Sequence, residues 1–228
     1  MKRLVFGPVF AVAALAVFAV CGLAWDADYD PSTFNPGVDE PVTFAVCEPC
    51  MDSGSYRYAW DFDGDGTTDL ESDDPVVEYA FAESGFFEAE LTLTDADGRR
   101  KTKRKGILVG TYPAFAVRET VDQGDGTIFV LITVTVTETL SAPGIQEGMP
   151  RGWQFELLDS GGAYTRPNDE ERIYEVIWWN EAEAGTELTF SYRLHPGTSY
   201  LTELSGEFSG VLDGRFVGEI CGEIEIES

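Results

Sequence analysis

The sequence has little of what most enzymes use for proton and metal chemistry. It holds one histidine, His195, and four cysteines among 228 residues. A Ser-His-Asp device needs a histidine beside a nucleophile and an orienting acid. His195 is followed by Pro196, and no G-x-S-x-G segment accompanies it, so it reads as a surface turn residue. No P-loop or dinucleotide fingerprint occurs. Paired-carboxylate hydrolysis stays open on composition alone, but with 41 Asp and Glu any pair picked by counting is uninformative. The reading is therefore a non-enzyme with no catalytic residues.

Positive charge is scarce too. Fifteen Lys and Arg face those 41 acids, for a net charge of -26, and lysine occurs only at Lys2, Lys101, Lys103 and Lys105. Such a chain repels nucleic acid and anionic membrane surfaces and favours cations and basic partners. It fits an acidic secreted protein kept soluble by self-repulsion, with adaptation to high salt as the alternative. Residues 25–110 carry 20 acids and 7 bases and residues 111–228 carry 21 and 6, so neither half is a charged tail of the other.

Helical periodicity is also missing; no stretch sustains it with caps over three turns. Strand-like runs take its place, and 43% hydrophobic with 13% aromatic residues argues against global disorder. Strands are predicted over 41–46, 56–62, 76–81, 86–94, 99–109, 127–137, 153–158, 173–179 and 186–194, with two more around 208–212 and 216–226. Short strands divided by Gly, Pro, Asp and Asn turns indicate an all-β chain of two tandem β-sandwiches. The boundaries read as 25–110 and 111–228, with Gly110–Pro113 as linker.

The amino terminus is an export segment. Met1-Lys2-Arg3 is basic, Leu4–Ala24 is apolar and uncharged, and Gly22 and Ala24 suit cleavage before Trp25. An uncleaved anchor fits the run's length as well, and lipidation at Cys21 is a third option, opposed by the bulky Val20. Each places the remainder outside the cytoplasm, secreted or at the cell surface. Cys47 and Cys50 form a C-x-x-C with no second pair to complete a zinc set, so a local disulfide pinning a loop is expected. Cys221 is then odd: free, buried or intermolecular.

Within 56–98 two blocks carry a resemblance. Tyr58-Ala59-Trp60-Asp61-Phe62-Asp63-Gly64-Asp65-Gly66 resembles the Y-x-W-D-F-G-D-G signature of PKD (polycystic kidney disease) domains. Tyr79, Gly85, Phe87, Ala89, Leu91, Leu93, Asp95 and Gly98 follow the family's second block, with Phe87 for the usual tyrosine and Ala89 for the usual valine. The resemblance covers about residues 26–110 and implies an immunoglobulin-like sandwich acting as an extracellular spacer, adhesion or ligand-presenting module. Independently of it, Tyr58, Trp60 and Phe62 share one face of a strand and form a core stripe.

The acids between those aromatics invite a cation. Asp61, Asp63, Asp65 and Asp69 follow the first half of a calcium loop, where alternate carboxylates around a glycine turn converge on a hard ion. Position twelve is Ser72 rather than Glu, and the alternative is a solvated acidic turn. Asp26, Asp28 and Asp30 make a second such cluster. Arg99–Lys105 holds six of the seven bases of 25–110; amid so many acids it reads as edge protection or acid pairing rather than an anion site.

In 111–228, Gly144, Pro150, Gly152, Trp153, the Trp178-Trp179 pair, Ala184-Gly185, Thr189, Tyr192 and Pro196 resemble cohesin-like sandwich modules of prokaryotic surface proteins. Trp178 and Trp179 are adjacent, so in a strand they face opposite ways. One is core; the other, taken as Trp179, either packs between modules or stacks on a ligand. The expected function is a non-catalytic adhesion, spacer or ligand-presenting protein that contacts a surface protein or polysaccharide. A carbohydrate-binding accessory protein and a small secreted hydrolase are the alternatives.

Overall fold

The computed structural model describes residues 27–47, 55–197, 201–212 and 214–227. The expected export segment, Cys21, Asp26 and Cys50 lie outside them, so the expected Cys47–Cys50 pairing does too. Among the described residues every regular element is a strand, and no helix is long and apolar enough to cross a membrane.

The first half contributes β1 (Tyr29–Pro31), β2 (Pro41–Val46), β3 (Arg57–Asp61), β4 (Leu70–Ser72), β5 (Val76–Ala80), β6 (Gly85–Thr94) and β7 (Arg100–Val109). The second contributes β8 (Ala114–Asp122), β9 (Ile128–Val136), β10 (Ser141–Gly148), β11 (Gln154–Asp159), β12 (Tyr164–Asn168), β13 (Ile173–Ile177) and β14 (Glu187–His195). It ends with β15 (Leu201–Glu203), β16 (Gly206–Val211), β17 (Arg215–Glu219), β18 (Cys221–Glu223) and β19 (Glu225–Glu227).

Two hydrophobic cores result. In the first, β2 and β5 bring Val42, Phe44 and Val77 against Trp60 of β3, Leu91 and Leu93 of β6 and Ile107 of β7. Trp60 is 0% exposed, as the alternation of its strand requires. Its ring stacks on Phe62 at 5.5 Å and meets Tyr29 edge-on at 5.0 Å; Phe62 in turn stacks on Tyr79 at 4.0 Å. In the second core, Ile145, Tyr174, Val176 and Phe208 from the five-stranded sheet β12-β13-β10-β16-β17 pack with Val130, Ile132 and Phe190 from β9 and β14.

The halves share one sheet. A nine-stranded sheet runs β11-β14-β9-β8-β18-β7-β6-β3-β4 through both cores. The sequence reads 216–226 as one terminal strand; in the fold, β17 leaves to an edge of the five-stranded sheet while β18 fills the slot between β7 and β8. Its Cys221 and Gly222 pair in parallel with Val117 and Arg118, and its Gly222 and Glu223 pair antiparallel with Gly106 and Lys105. Only glycine fits at 222: φ is +82°, and a Cβ would fall 2.2 Å from the Arg118 carbonyl oxygen.

Strands β8 and β10 are absent from the sequence-based prediction. Their inward positions hold Arg118 and Glu147, both fully buried, which break the apolar-polar alternation that marks a strand.

Candidate functional site

The acidic turn between β3 and β4 is built as the sequence pattern requires. Asp61 ends β3; its Oδ1 accepts the Gly64 N–H and its Oδ2 the Gly66 N–H, both at 2.7 Å. Asp63 accepts from the Asp65 N–H at 3.1 Å and Asp65 from the Thr67 N–H at 2.7 Å. The carboxylates of Asp61, Asp63 and Asp65 lie within 4.8 Å of one another. Asp69 turns away to accept the Phe62 N–H at 2.8 Å, closing the turn. Three of the four expected ligands therefore converge, and the fourth has a structural role. The Asp65 N–H favours ionised Asp63, but desolvation and the charges of Asp65, Asp69 and Asp61 outweigh it and raise its pKa. An all-oxygen donor set of this kind suits a hard cation.

The basic run grips the carboxy-terminal strands. Lys105, only 4% exposed, lies 3.0 Å from both Asp28 and Glu223 and 3.6 Å from Asp30, with its ammonium 5.3 Å from the centre of the Tyr29 ring. Burial opposes its charge, but Glu223 and Asp28 prevail and raise its pKa. Lys103 pairs with Glu223. Arg104 pairs with Glu225, with Glu88 at 3.1 Å and with Glu203 at 3.3 Å. The expected acid pairing is what this run does, and Asp28 and Asp30 serve it. Beside Arg104 a cavity of 400 Å³ opens between the halves, walled by Phe86 and Glu88 on one side and Leu204, Glu207, Glu219 and Ile220 on the other.

A third feature lies at the β12 edge of the five-stranded sheet. Trp178 is buried and its indole N–H donates to the Gly161 carbonyl at 3.0 Å. This fixes the chain so that Trp179 faces out, 69% exposed. Tyr164 on the edge strand β12 is 55% exposed, and the two rings lie 6.4 Å apart at 48°. The sequence reading missed Tyr164. Its signal was the Gly161-Gly162 turn followed by YTRPN, too short and too polar to register as a strand.

The remaining candidates have plain placements. His195 ends β14 on the surface, its Nε2 2.8 Å from Glu156, whose pKa is held down by that contact and by Arg193. The Cys47 thiol donates to Asp30 at 3.6 Å. Cys221 is a free, buried thiol whose pKa burial pushes up to about 12.

Two facing sheets with alternating inward side chains define an immunoglobulin-like all-β protein. Residues 37–109 match the family model described as PKD domain, inside the 26–110 that resembles it by motif. No curated protein matches the chain by sequence. Among solved structures, one of carbohydrate-binding modules from the β-sandwich superfamily is 16% identical, with 90% of this chain and 98% of that one covered and a TM-score of 0.35. A chitinase from Bacillus thuringiensis is 9% identical over 85% of this chain and 28% of its own, at 0.40. Collagen adhesin from S. aureus is 6% identical over 90% and 97%, at 0.28. Overlaps this loose carry no statement about ligand.

Proposed function

We propose that the protein is a non-catalytic, extracellular binding module. Its PKD-like half acts as a spacer, and its second half presents the outward face of the five-stranded sheet to a surface protein or polysaccharide. The observation that carries this reading is the exposed Trp179–Tyr164 pair. Two exposed rings side by side make a patch rather than a scattered residue, and large aromatics dominate the energetics of contact surfaces. The export-type amino terminus and the strongly acidic composition support a place outside the cell. Binding to arrays of glycans and of surface proteins, with Trp179→Ala alongside, tests the reading. Binding lost in the variant supports it. Turnover of glycosidic or peptide bonds that survives Trp179→Ala and is lost on one acid substitution overturns it in favour of a hydrolase.

Calcium at Asp61, Asp63 and Asp65 is the accompanying proposal, with Asp69 as a structural support. Added calcium is expected to raise the melting temperature of the wild type and not that of Asp63→Asn. Asp63 is the better probe because it accepts one backbone N–H where Asp61 accepts two. Equal shifts in both proteins overturn calcium binding at this turn.

A further inference from the structure

The ladder registers place more than the aromatic pair on that outward face. Tyr164 lies opposite Ile177, Ile177 opposite Gly144, Gly144 opposite Ser209 and Ser209 opposite Val217. Directly opposite residues share a face, and the face is the outer one, since the intervening Tyr174, Val176, Ile145 and Phe208 are buried. One row therefore crosses all five strands with a ring at one end, an exposed Val217 at the other and no side chain at its centre. Gly144 keeps that centre flat; a Cβ there would meet the Val176 carbonyl at 2.8 Å. The next row on the same face is polar throughout: Arg166, Glu175, Gln146, Glu207 and Glu219.

We infer that this face takes an extended, uncharged polysaccharide chain laid across the five strands, an inference that rests on the face being the binding surface. A sugar ring has an apolar C–H face and a rim of hydroxyls. The aromatic and aliphatic row meets the first, and the adjacent carboxylates and amide meet the second. Strands lie about 4.8 Å apart, so the row is roughly 19 Å long, the reach of a short oligosaccharide. Trp179 and Tyr164 line neither of the described cavities, while Glu207 and Glu219 toward the β17 edge line the cleft to the first half, so the aromatic end of the surface suits the side of a chain rather than its end.

Charge narrows the ligand further. Arg166 is taken up by Glu175 at 2.5 Å, and Glu207 and Glu219 outnumber Arg215, which shares the outward side of β17, so the face stays net negative on a chain that is already at -26. Acidic polysaccharides are repelled. A protein partner fits poorly as well, because interface cores are depleted of Glu, and here carboxylates run beside the apolar row through the middle of the face. Hydroxyl groups satisfy those carboxylates without charge.

Affinity electrophoresis of the full chain tests this in gels containing hydroxyethyl cellulose, polygalacturonate or chitosan. Retardation that depends on Trp179 is expected only in the uncharged polymer; chitosan, a polycation, should slow a chain of charge -26 whatever residue stands at 179. Trp179→Ala and Tyr164→Ala each should weaken binding to hydroxyethyl cellulose by roughly tenfold or more, the scale of losing an aromatic anchor. Gln146→Ala should weaken it less. Both aromatic side chains are exposed, so circular dichroism should show all variants folded. Trp179-dependent retardation by chitosan alone, or by polygalacturonate, overturns the inference, as does retardation by hydroxyethyl cellulose that neither aromatic substitution changes. No Trp179-dependent retardation in any gel, with Trp179-dependent capture of an arrayed protein, removes the polysaccharide and leaves the binding face standing. Indifference of every bound ligand to both aromatics removes both.

Discussion

The two halves stabilise similar sandwiches by different means. The first closes on rings: Tyr29, Phe44, Trp60, Phe62, Tyr79 and Phe81 form a continuous series of aromatic contacts. The second has a stack of Phe155, Tyr174 and Tyr192 and, next to it, a buried ion pair. Arg118 Nε and Nη2 donate to the two Glu147 oxygens at 2.9 and 2.6 Å, and the Tyr192 hydroxyl donates to the same carboxylate at 2.6 Å. Arg118 Nη1 also donates to the Glu223 carbonyl at 2.9 Å, so this network holds β18 as well. Burial works against the guanidinium, but Glu147 outweighs it and raises its pKa; burial and then Glu147 raise that of Tyr192. An aromatic core tolerates graded loss. A buried ion pair does not, since removing one member leaves a charge with no water and no partner.

The largest expected effect breaks the comparison on that point. Glu147→Ala should destabilise by about 3–5 kcal/mol, read as a lower urea midpoint. Replacing the set with Arg118→Met, Glu147→Leu and Tyr192→Phe together should recover most of the loss, because well-packed apolar groups often match a buried pair. Leu91→Ala in the first core is the comparator, at about 2–5 kcal/mol according to how far the cavity collapses; no second substitution of comparable simplicity should rescue it. A triple variant no better than Glu147→Ala would show that the pair specifies the fold of the second half rather than merely filling it.

The same contrast decides what could be read from sequence. Most of the first core follows from alternation: Trp60 with its neighbours, and Ala89, Leu91 and Leu93, stand at every second position and are buried, whereas the buried Tyr29 belongs to β1, three residues long and without a strand pattern. The acidic turn was legible because local N–H groups shape it. In the second half the pattern fails where chemistry replaces hydrophobicity. Strand β8 hides because Arg118 occupies an inward site, and β10 because Pro143 and Glu147 do. Tyr164 hides in a polar edge strand. The shared sheet was illegible for another reason: the partners of Gly222 are more than a hundred residues away at Gly106 and Arg118, and no local signal reports a pairing of that range.

Gly222→Ala probes that shared strand and should cost about 1–3 kcal/mol for a side chain in a left-handed conformation. The backbone contact with Arg118 should also push β18 out of its slot. Hydrogen exchange is expected to quicken at 221–223 and along the facing edges of β7 and β8, while the amides of β3 and β9 stay protected. Uniform loss of protection across both cores would mean that the halves unfold as one unit and that β18 is not a separable joint.

The smallest expected effect sits where the halves face each other. Glu219 stands opposite Glu207 on the ladder, near Glu88 of the first half. Burial first, then those two carboxylates, raise its pKa. A carboxyl with a folded-state pKa above its unfolded value, about 4.3, stabilises most below that value. This contribution is lost as pH rises through the folded pKa. At pH 7 ionised Glu219 is therefore a cost that Glu219→Gln should remove, by a few tenths of a kcal/mol given its exposure to solvent. The gain should shrink as pH falls toward 4, because wild-type Glu219 then takes up a proton and loses its repulsion. A gain of the same size at pH 4 and pH 7 would assign the effect to packing, and the acids lining the cleft between the halves would then impose no electrostatic strain on the joint.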